Sequence, residues 1–301
     1  MRIGVDLGGT KIEIAALDGS GAFALRERHP SPTGDYEKTV HTIRDLVTAA
    51  ETKLDRRCSV GVGIPGAISP ASGVVKNANS TWLNGKPLDR DLSAALSRPV
   101  RVANDANCFA LSEAADGAGQ GKHVVFGVIL GTGVGGGIVV GGRVLTGPNA
   151  IAGEWGHNPL PWPDAVEQRD QACYCGKSGC IETWLSGPAL SRQFAAATGR
   201  KADAAAIARL AAEDDAHASA LLEAFERRLA KALAHVVDIL DPDVVVLGGG
   251  LSNLDRLYTN VQPQIAHHAF SDTIATPIVK NKWGDSGGVR GAAWLWPEAD
   301  A

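Results

Sequence analysis

The apolar residues of this chain fall into short β-branched clusters separated by glycine-rich turns, with helical stretches between them. Residues 2–6 read as a short buried strand, residues 7–10 as a turn, and residues 11–17 as a second strand ending at the hairpin signal Asp18-Gly19. A third strand is expected over residues 24–28. Between residues 38 and 54, Val40, Ile43, Leu46, Val47, Ala50 and Leu54 recur at helical spacing. Residues 59–64 form the next strand, stopped by Pro65-Gly66. Residues 100–103 form another, after which Asn104-Asp105 opens a helix to about residue 115.

The same order then repeats. Residues 124–130 read as a strand, Gly131-Thr132-Gly133 as a turn, residues 134–140 as a strand, and Gly141-Gly142 as a turn into residues 144–145. A long helix is expected from residue 217 to residue 240, with Leu222, Phe225, Leu229, Leu233, Val236 and Leu240 along one face. Asp241-Pro242 ends it, and a strand over residues 244–247 runs into Gly248-Gly249-Gly250. Each half reads as three hairpin-linked strands, then helix and strand. The expected architecture is two related α/β domains flanking a cleft, with one large α/β sheet as the alternative.

Composition narrows the function. Of 301 residues, 45% are apolar and 21% charged, which argues against a disordered chain. With 29 basic against 33 acidic residues, no basic excess exists to neutralise a nucleic-acid backbone. The longest uncharged stretch, residues 124–142, is nineteen residues long, but eight are glycine, so it reads as two strands around a turn and not a membrane span. Asp6 comes before any apolar signal region, and five cysteines is an odd number. Both suit a reducing cytoplasm.

The candidate chemistry lies at three glycine turns, each at a strand end: 6–10, 131–133 and 248–250. Glycine there lets backbone N–H groups converge on an anion such as phosphate. Asp6 could hold Mg²⁺, and the Thr10 and Thr132 hydroxyls could donate to phosphate oxygens; ordinary hairpin turns are the alternative. Two matches to G-x-G-x-x-G, at Gly131, Gly133, Gly136 and at Gly61, Gly63, Gly66, lack the helix that a dinucleotide site needs. Gly176-Lys177-Ser178 resembles the end of a P-loop, but Gln171 stands where that motif needs glycine.

Cys173, Cys175 and Cys180 lie within eight residues, and His157 is the nearest histidine. The four read as a structural Zn²⁺ site, with a redox pair or free thiols as alternatives. Cys58 and Cys108 read as small core residues. Asp105 stands where a strand ends and a helix begins, as a helix cap or a functional acid. Asn77, Asn79, Glu154 and Glu182 could join it around a polyhydroxyl ligand.

Asp6-Leu7-Gly8-Gly9-Thr10-Lys11, Asn104-Asp105-Ala106-Asn107, Gly131-Thr132-Gly133-Val134-Gly135-Gly136-Gly137, Glu154-Trp155-Gly156-His157 and the Cys173 to Glu182 loop together resemble the ROK family of bacterial sugar kinases. The likeness spans essentially the whole chain. Within that family, Asn79-Ser80-Thr81-Trp82-Leu83-Asn84-Gly85 and residues 153–162 resemble the fructokinase (manno(fructo)kinase) branch. The resemblance implies an actin-like, hexokinase-type (ribonuclease H-like) fold. Residues 1–116 plus 287–301 would form the N-terminal domain, completed by a C-terminal helix, and residues 117–286 the larger one with the zinc loop.

It further implies Asp105 as catalytic base, with Asn79, Asn104, Glu154, His157 and Glu182 binding the sugar. Asp6, Gly8, Gly9, Thr10, Lys11, Thr132 and Gly133 would bind ATP phosphates and Mg²⁺, and Gly248, Gly249 and Gly250 would approach the adenosine. His157, Cys173, Cys175 and Cys180 would hold zinc, His157 keeping its other ring nitrogen for the sugar. The implied reaction is phosphoryl transfer from MgATP to the 6-hydroxyl of D-fructose. N-acetyl-D-glucosamine, glucose and mannose are the alternative substrates. Trp155 and Trp162 are expected to narrow the sugar wall against a 2-acetamido group, unless both pack under the loop. A homodimer is implied by resemblance alone. The family also includes sugar-responsive transcription repressors carrying an N-terminal helix-turn-helix, a module not expected here because the phosphate turn begins at Asp6. The spacing from His157 to Cys173 points to an insertion near residues 164–170.

Overall fold

The computed structural model describes residues 1–168 and 171–297. The chain folds in the order β1 (Arg2–Leu7), β2 (Lys11–Leu17), β3 (Phe23–Pro30), α1 (Tyr36–Leu54), β4 (Ser59–Ile64), β5 (Ala67–Ile68), β6 (Val75–Lys76), α2 (Leu88–Leu96), β7 (Val100–Asn104) and α3 (Asp105–Asp116). There follow β8 (Val124–Leu130), β9 (Val134–Val140), β10 (Arg143–Val144), α4 (Glu182–Leu185), α5 (Gly187–Thr198), α6 (Ala204–Ala212) and α7 (Ala216–Leu240). The last elements are β11 (Val244–Gly248), α8 (Arg256–Ile265), β12 (Ile278–Lys280) and α9 (Gly287–Trp294).

Two five-stranded sheets carry the fold, with orders β3-β2-β1-β4-β7 and β10-β9-β8-β11-β12. In each, a hairpin-linked set of three strands continues into parallel neighbours. The repeat read from the sequence is therefore a repeat of sheet topology. The chain divides into two compact units. One comprises residues 1–121, 137–152 and the described residues from Trp283 on; the other comprises residues 122–136 and 153–282. Residues 137–152, which the sequence reading assigns to the second domain, group with the first. Residues 298–301 of the expected first domain lie outside the described residues.

In the first unit Ile3, Val5, Leu7, Ile12, Ile14, Val60, Val62 and Ile64 form the buried sheet face packed with Val40, Ile43 and Val47 of α1. Helix α1 starts where the Asp35 carboxylate accepts from Lys38 N at 3.0 Å, the N-cap contact that satisfies an otherwise orphaned donor. Helix α9 closes this unit by backbone approach. A Cβ on Gly4 would stand 2.0 Å from Val289 O, one on Gly61 1.9 Å from Ala292 O, and one on Gly291 1.6 Å from Cys108 O. Only hydrogen fits at these three crossings, so α9 lies clamped between the sheet and α3.

In the second unit α7 buries Leu222, Phe225, Leu229, Leu233 and Val237. The expected stripe thus holds over its first four members, but its last turns face inward through Val237 and not through Val236 and Leu240. Helices α2, α5, α6 and α8 and strand β12 are absent from the sequence reading. Among the described residues no helix is long and apolar enough to cross a membrane.

Candidate functional site

In the first unit β1, β4 and β7 run parallel, with Asp6 opposite Gly63 and Ile64 opposite Asn104. Their carboxyl ends therefore share one edge, where ligands of open α/β sheets collect. That edge brings Asp6, the turn after it, Asn104 and Asp105 together. Gly8 N–H donates to Lys11 O at 2.9 Å, closing the turn, and Thr33 Oγ1 donates to Gly9 O at 2.8 Å. Thr10 and Lys11 are exposed beside it.

Asn104 takes the cap of α3, its Oδ1 accepting from Ala106 N at 2.9 Å and Asn107 N at 3.3 Å. The cap role open to Asp105 thus goes to its neighbour, and Asp105 is the first residue of the helix. Asp6 is half-buried, and its carboxyl is pushed up to about 7, first by burial, then by the negative charges of Asp105 and Glu13, with Lys11 and Arg28 opposing. Two carboxyls that disfavour each other's charge suit a site that receives a cation.

Asn79 is exposed on the segment between β6 and α2. Asn84 pins that segment, accepting from Ala78 N and donating to Ala78 O, both at 2.9 Å. Ser80, which the sequence reading missed, is 2% exposed, and its Oγ faces Gly9: a Cβ there would lie 3.5 Å from it. Gly288 in α9 was missed too; a Cβ on it would come 3.0 Å from Asp6 Oδ2.

In the second unit the turns 131–133 and 248–250 follow the adjacent parallel strands β8 and β11, with Gly248 opposite Ile129. Gly249 adopts φ +78, and a Cβ on it would meet Leu130 O at 2.5 Å, so this turn requires glycine twice over. Asn281 holds the turn from beneath, donating to Leu247 O at 3.0 Å and to Ser252 Oγ at 3.2 Å, while Ser252 Oγ donates to Gly249 O at 2.7 Å. Glu182, at the start of α4, accepts from Val134 N through Oε2 at 2.9 Å. It therefore ties the cysteine loop to the turn around Gly133.

The four expected metal-ligand atoms, from His157, Cys173, Cys175 and Cys180, all lie within 4.8 Å of one another. Cys173 Sγ is 3.5 Å from His157 Nδ1, and Cys175 Sγ is 3.7 Å from Cys180 Sγ. A tetrahedron with metal–sulfur bonds of about 2.3 Å has edges of roughly 3.7 Å, so the donor set fits a zinc-sized ion. Glu154 immediately precedes the single helical turn Trp155–His157. His157 Nε2 points away from the sulfurs and meets the Tyr174 hydroxyl at 3.0 Å. The insertion is anchored as far as it is described: buried Glu167 pairs with Arg228 and with Lys231, each at 2.8 Å. Arg169 and Asp170 of that expected insertion lie outside the described residues.

The two tryptophans expected to narrow the sugar wall both pack against other rings. Trp155 is 5% exposed, packs edge-on against Phe126, and donates through Nε1 to Gly135 O at 2.9 Å. Trp162 stacks on His268 with ring centroids 5.8 Å apart and meets His235 of α7 edge-on. Trp155 is thereby buried, whereas Trp162 keeps 51% of its surface exposed; this ring packing is the expected alternative to a sugar wall. Cys58 and Cys108 are buried, as expected of core residues.

A model of the ROK family matches residues 2–299. The N-acetyl-D-glucosamine kinase of Photobacterium profundum is 43% identical over 299 residues, covering 98% of this chain and 99% of that protein. Among solved structures, the ROK hexokinase of Thermus thermophilus superposes with TM-score 0.86 at 33% identity, covering 97% of this chain and 96% of that one. A ROK family glucokinase from Streptomyces griseus, in complex with glucose and AMPPNP, gives TM-score 0.78 at 28% identity, covering 98% of each chain. The shared topology is the hexokinase-type, actin-like fold. Motifs, fold and relatives agree over nearly the whole length, and the chain belongs to the ROK family.

Proposed function

We propose that this protein is an ATP-dependent sugar kinase that phosphorylates a hexose at its 6-hydroxyl, and that the sugar is N-acetyl-D-glucosamine. The observation carrying this reading is the 43% identity to an N-acetyl-D-glucosamine kinase over 98% of the chain. The packing of Trp155 and Trp162 against other rings weakens the steric objection to that sugar. D-Fructose is the second reading, favoured by the likeness of residues 79–85 and 153–162 to the fructokinase branch. An ATP-coupled phosphorylation screen over N-acetyl-D-glucosamine, D-fructose, D-glucose and D-mannose tests both. The higher kcat/KM decides between the first two, and no turnover of any sugar would refute the kinase reading.

In the reaction the sugar O6 forms a bond to the γ-phosphorus as the bond from that phosphorus to the bridging oxygen of ADP breaks. The proton of the hydroxyl passes to Asp105. A carboxylate at a helix start is placed to orient the hydroxyl early and to accept its proton late in a loose transition state. Asn79, Asn104, Glu154, His157 and Glu182 bind the sugar. Asp6, Gly8, Gly9, Thr10, Lys11, Thr132 and Gly133 cradle the phosphates, and Gly248, Gly249 and Gly250 lie along the adenosine. Asp6 would help to hold Mg²⁺, which would supply positive charge beside the phosphates. His157, Cys173, Cys175 and Cys180 would hold a structural Zn²⁺, which would fix the loop that presents Glu182. The family resemblance also supports a homodimer, to be read by sedimentation.

A further inference from the structure

Helix α4 carries Glu182 but has only four residues, a turn too short to hold its own geometry. What fixes it comes from outside. Arg192 Nη2 donates to Thr183 O at 3.3 Å and Gln193 Nε2 to Trp184 O at 3.2 Å, so side chains of α5 satisfy carbonyls that such a turn leaves open. Gln193 is itself oriented by Arg228 of α7. Arg228 Nη1 donates to Gln193 Oε1 at 2.6 Å, which turns the nitrogen end of the amide toward α4. The same guanidinium lies 4.7 Å from the centre of the Trp184 ring, on the body of α4. At its other edge Arg228 Nε donates to Glu167 Oε1 at 2.8 Å, and Lys231 Nζ donates to Glu167 Oε2 at 2.8 Å. The Arg228 and Glu167 side chains are 7% and 4% exposed.

A guanidinium taken out of water needs a counter-charge, and here the insertion supplies it as Glu167. The contacts therefore run from the insertion through Arg228 to both the backbone and the ring of α4. At the start of α4, Glu182 Oε2 accepts from Val134 N at 2.9 Å, which leaves Oε1 to the sugar. We infer that Arg228 is a positioning residue for the Glu182 carboxylate, and that Glu167 of the insertion is the counter-ion that lets it act from a buried place. The inference rests on the sugar-kinase reading, which gives Glu182 to the sugar. A planar fork reaches Glu167, Gln193 and the Trp184 face at once; an ammonium keeps the charge and loses that geometry.

The test is Arg228→Lys, alone and combined with Glu182→Ala, in steady-state kinetics on the best sugar. A hydrogen bond to a charged group contributes about 10- to 150-fold, so a carboxylate moved out of line should raise the sugar KM at least about fivefold. The kcat, the KM for MgATP and the zinc content should stay within about twofold. With Glu182→Ala no carboxylate remains to be placed, and Arg228→Lys should have no further effect on the sugar KM. Glu167→Leu with Arg228→Met removes both buried charges and should keep the fold, yet raise the sugar KM as Arg228→Lys does. A purely structural role would leave that KM at its wild-type value once stability is kept. An unchanged sugar KM in Arg228→Lys, an equal rise in both KM values, or a full effect alongside Glu182→Ala overturns the inference. If the wild-type enzyme phosphorylates no sugar, the kinase reading fails; calorimetric titration of the same sugars into wild type and Arg228→Lys then reads the placement without turnover, and equal affinities, or no binding to either protein, overturn it.

Discussion

Two alanine substitutions three residues apart on α9 should have opposite consequences. At Gly291 a Cβ would lie 1.6 Å from Cys108 O and 2.3 Å from its carbonyl carbon. Ordinary contact is about 3.5 Å, so the helix would have to retreat by well over 1 Å. It has nowhere to go, because Gly4 and Gly61 already admit the Val289 and Ala292 carbonyls on the opposite face, at 2.0 and 1.9 Å from where a Cβ would stand. Overpacking of this kind costs roughly 1–3 kcal/mol when neighbours yield, and backbone yields least. The gain of about 1 kcal/mol for alanine in a helix does not offset it. A net loss near 2 kcal/mol corresponds to a fall in Tm of about 4–8 °C in a protein of this size. Gly288→Ala meets only a side chain, at 3.0 Å from Asp6 Oδ2 and 3.2 Å from Cγ, so the fold should hold while the carboxylate shifts by a few tenths of an ångström. The expected readout is a Tm within about 2 °C of wild type with a raised KM for MgATP. Calorimetric scans and steady-state kinetics on both variants decide. A wild-type Tm for Gly291→Ala would refute the clamp, and unaltered MgATP kinetics for Gly288→Ala would refute the placement of Asp6.

Asp105→Asn should fold and bind sugar but lose about 10²- to 10⁴-fold in kcat, since an amide still occupies the helix start and cannot accept the proton; a kcat within about threefold of wild type would remove Asp105 from the mechanism. Cys175→Ala should lose metal, thermal stability and sugar affinity together, because His157 and Glu182 border the same loop; freshly purified wild-type protein without zinc and with full activity would count against the metal site. Asp6, raised from 3.8 to about 7, binds its proton more tightly in the folded state, so its contribution to stability is complete below pH 3.8 and lost as pH rises through 7. In EDTA, Asp6→Asn should therefore gain on wild type between pH 4 and pH 8, by about 2–4 kcal/mol once access of water to a half-buried group is allowed for. Parallel urea stability curves for the two proteins across that range would be the contrary result.

Local pattern made much of this fold legible. Strands β1, β2, β8 and β9 are short β-branched runs bounded by glycine, and α7 shows a long apolar stripe; such contrast survives without any knowledge of partners. Helix α6 has six alanines in nine residues, α8 contains Pro263, and β12 is three residues long, so their contrast is too weak to register. The motif residues at strand ends were legible for a related reason. Parallel strands of one sheet must deliver their carboxyl ends to one edge, so the order of Asp6 and Asp105 along the chain already implied their neighbourhood. What pairing across long chain separations decides was not legible. Gly4 and Gly61 look like unremarkable strand glycines until α9 returns more than two hundred residues later to press its carbonyls on them. The directions of Trp155, Trp162 and Tyr174 depend on which face of a turn each occupies, and a single residue's rotation reverses them. Sequence determined the elements and the chemical inventory, because both are local. Tertiary structure alone decided which glycines are obligatory and which aromatic ring meets His157, because those depend on sub-ångström approach between segments that the chain order leaves unspecified.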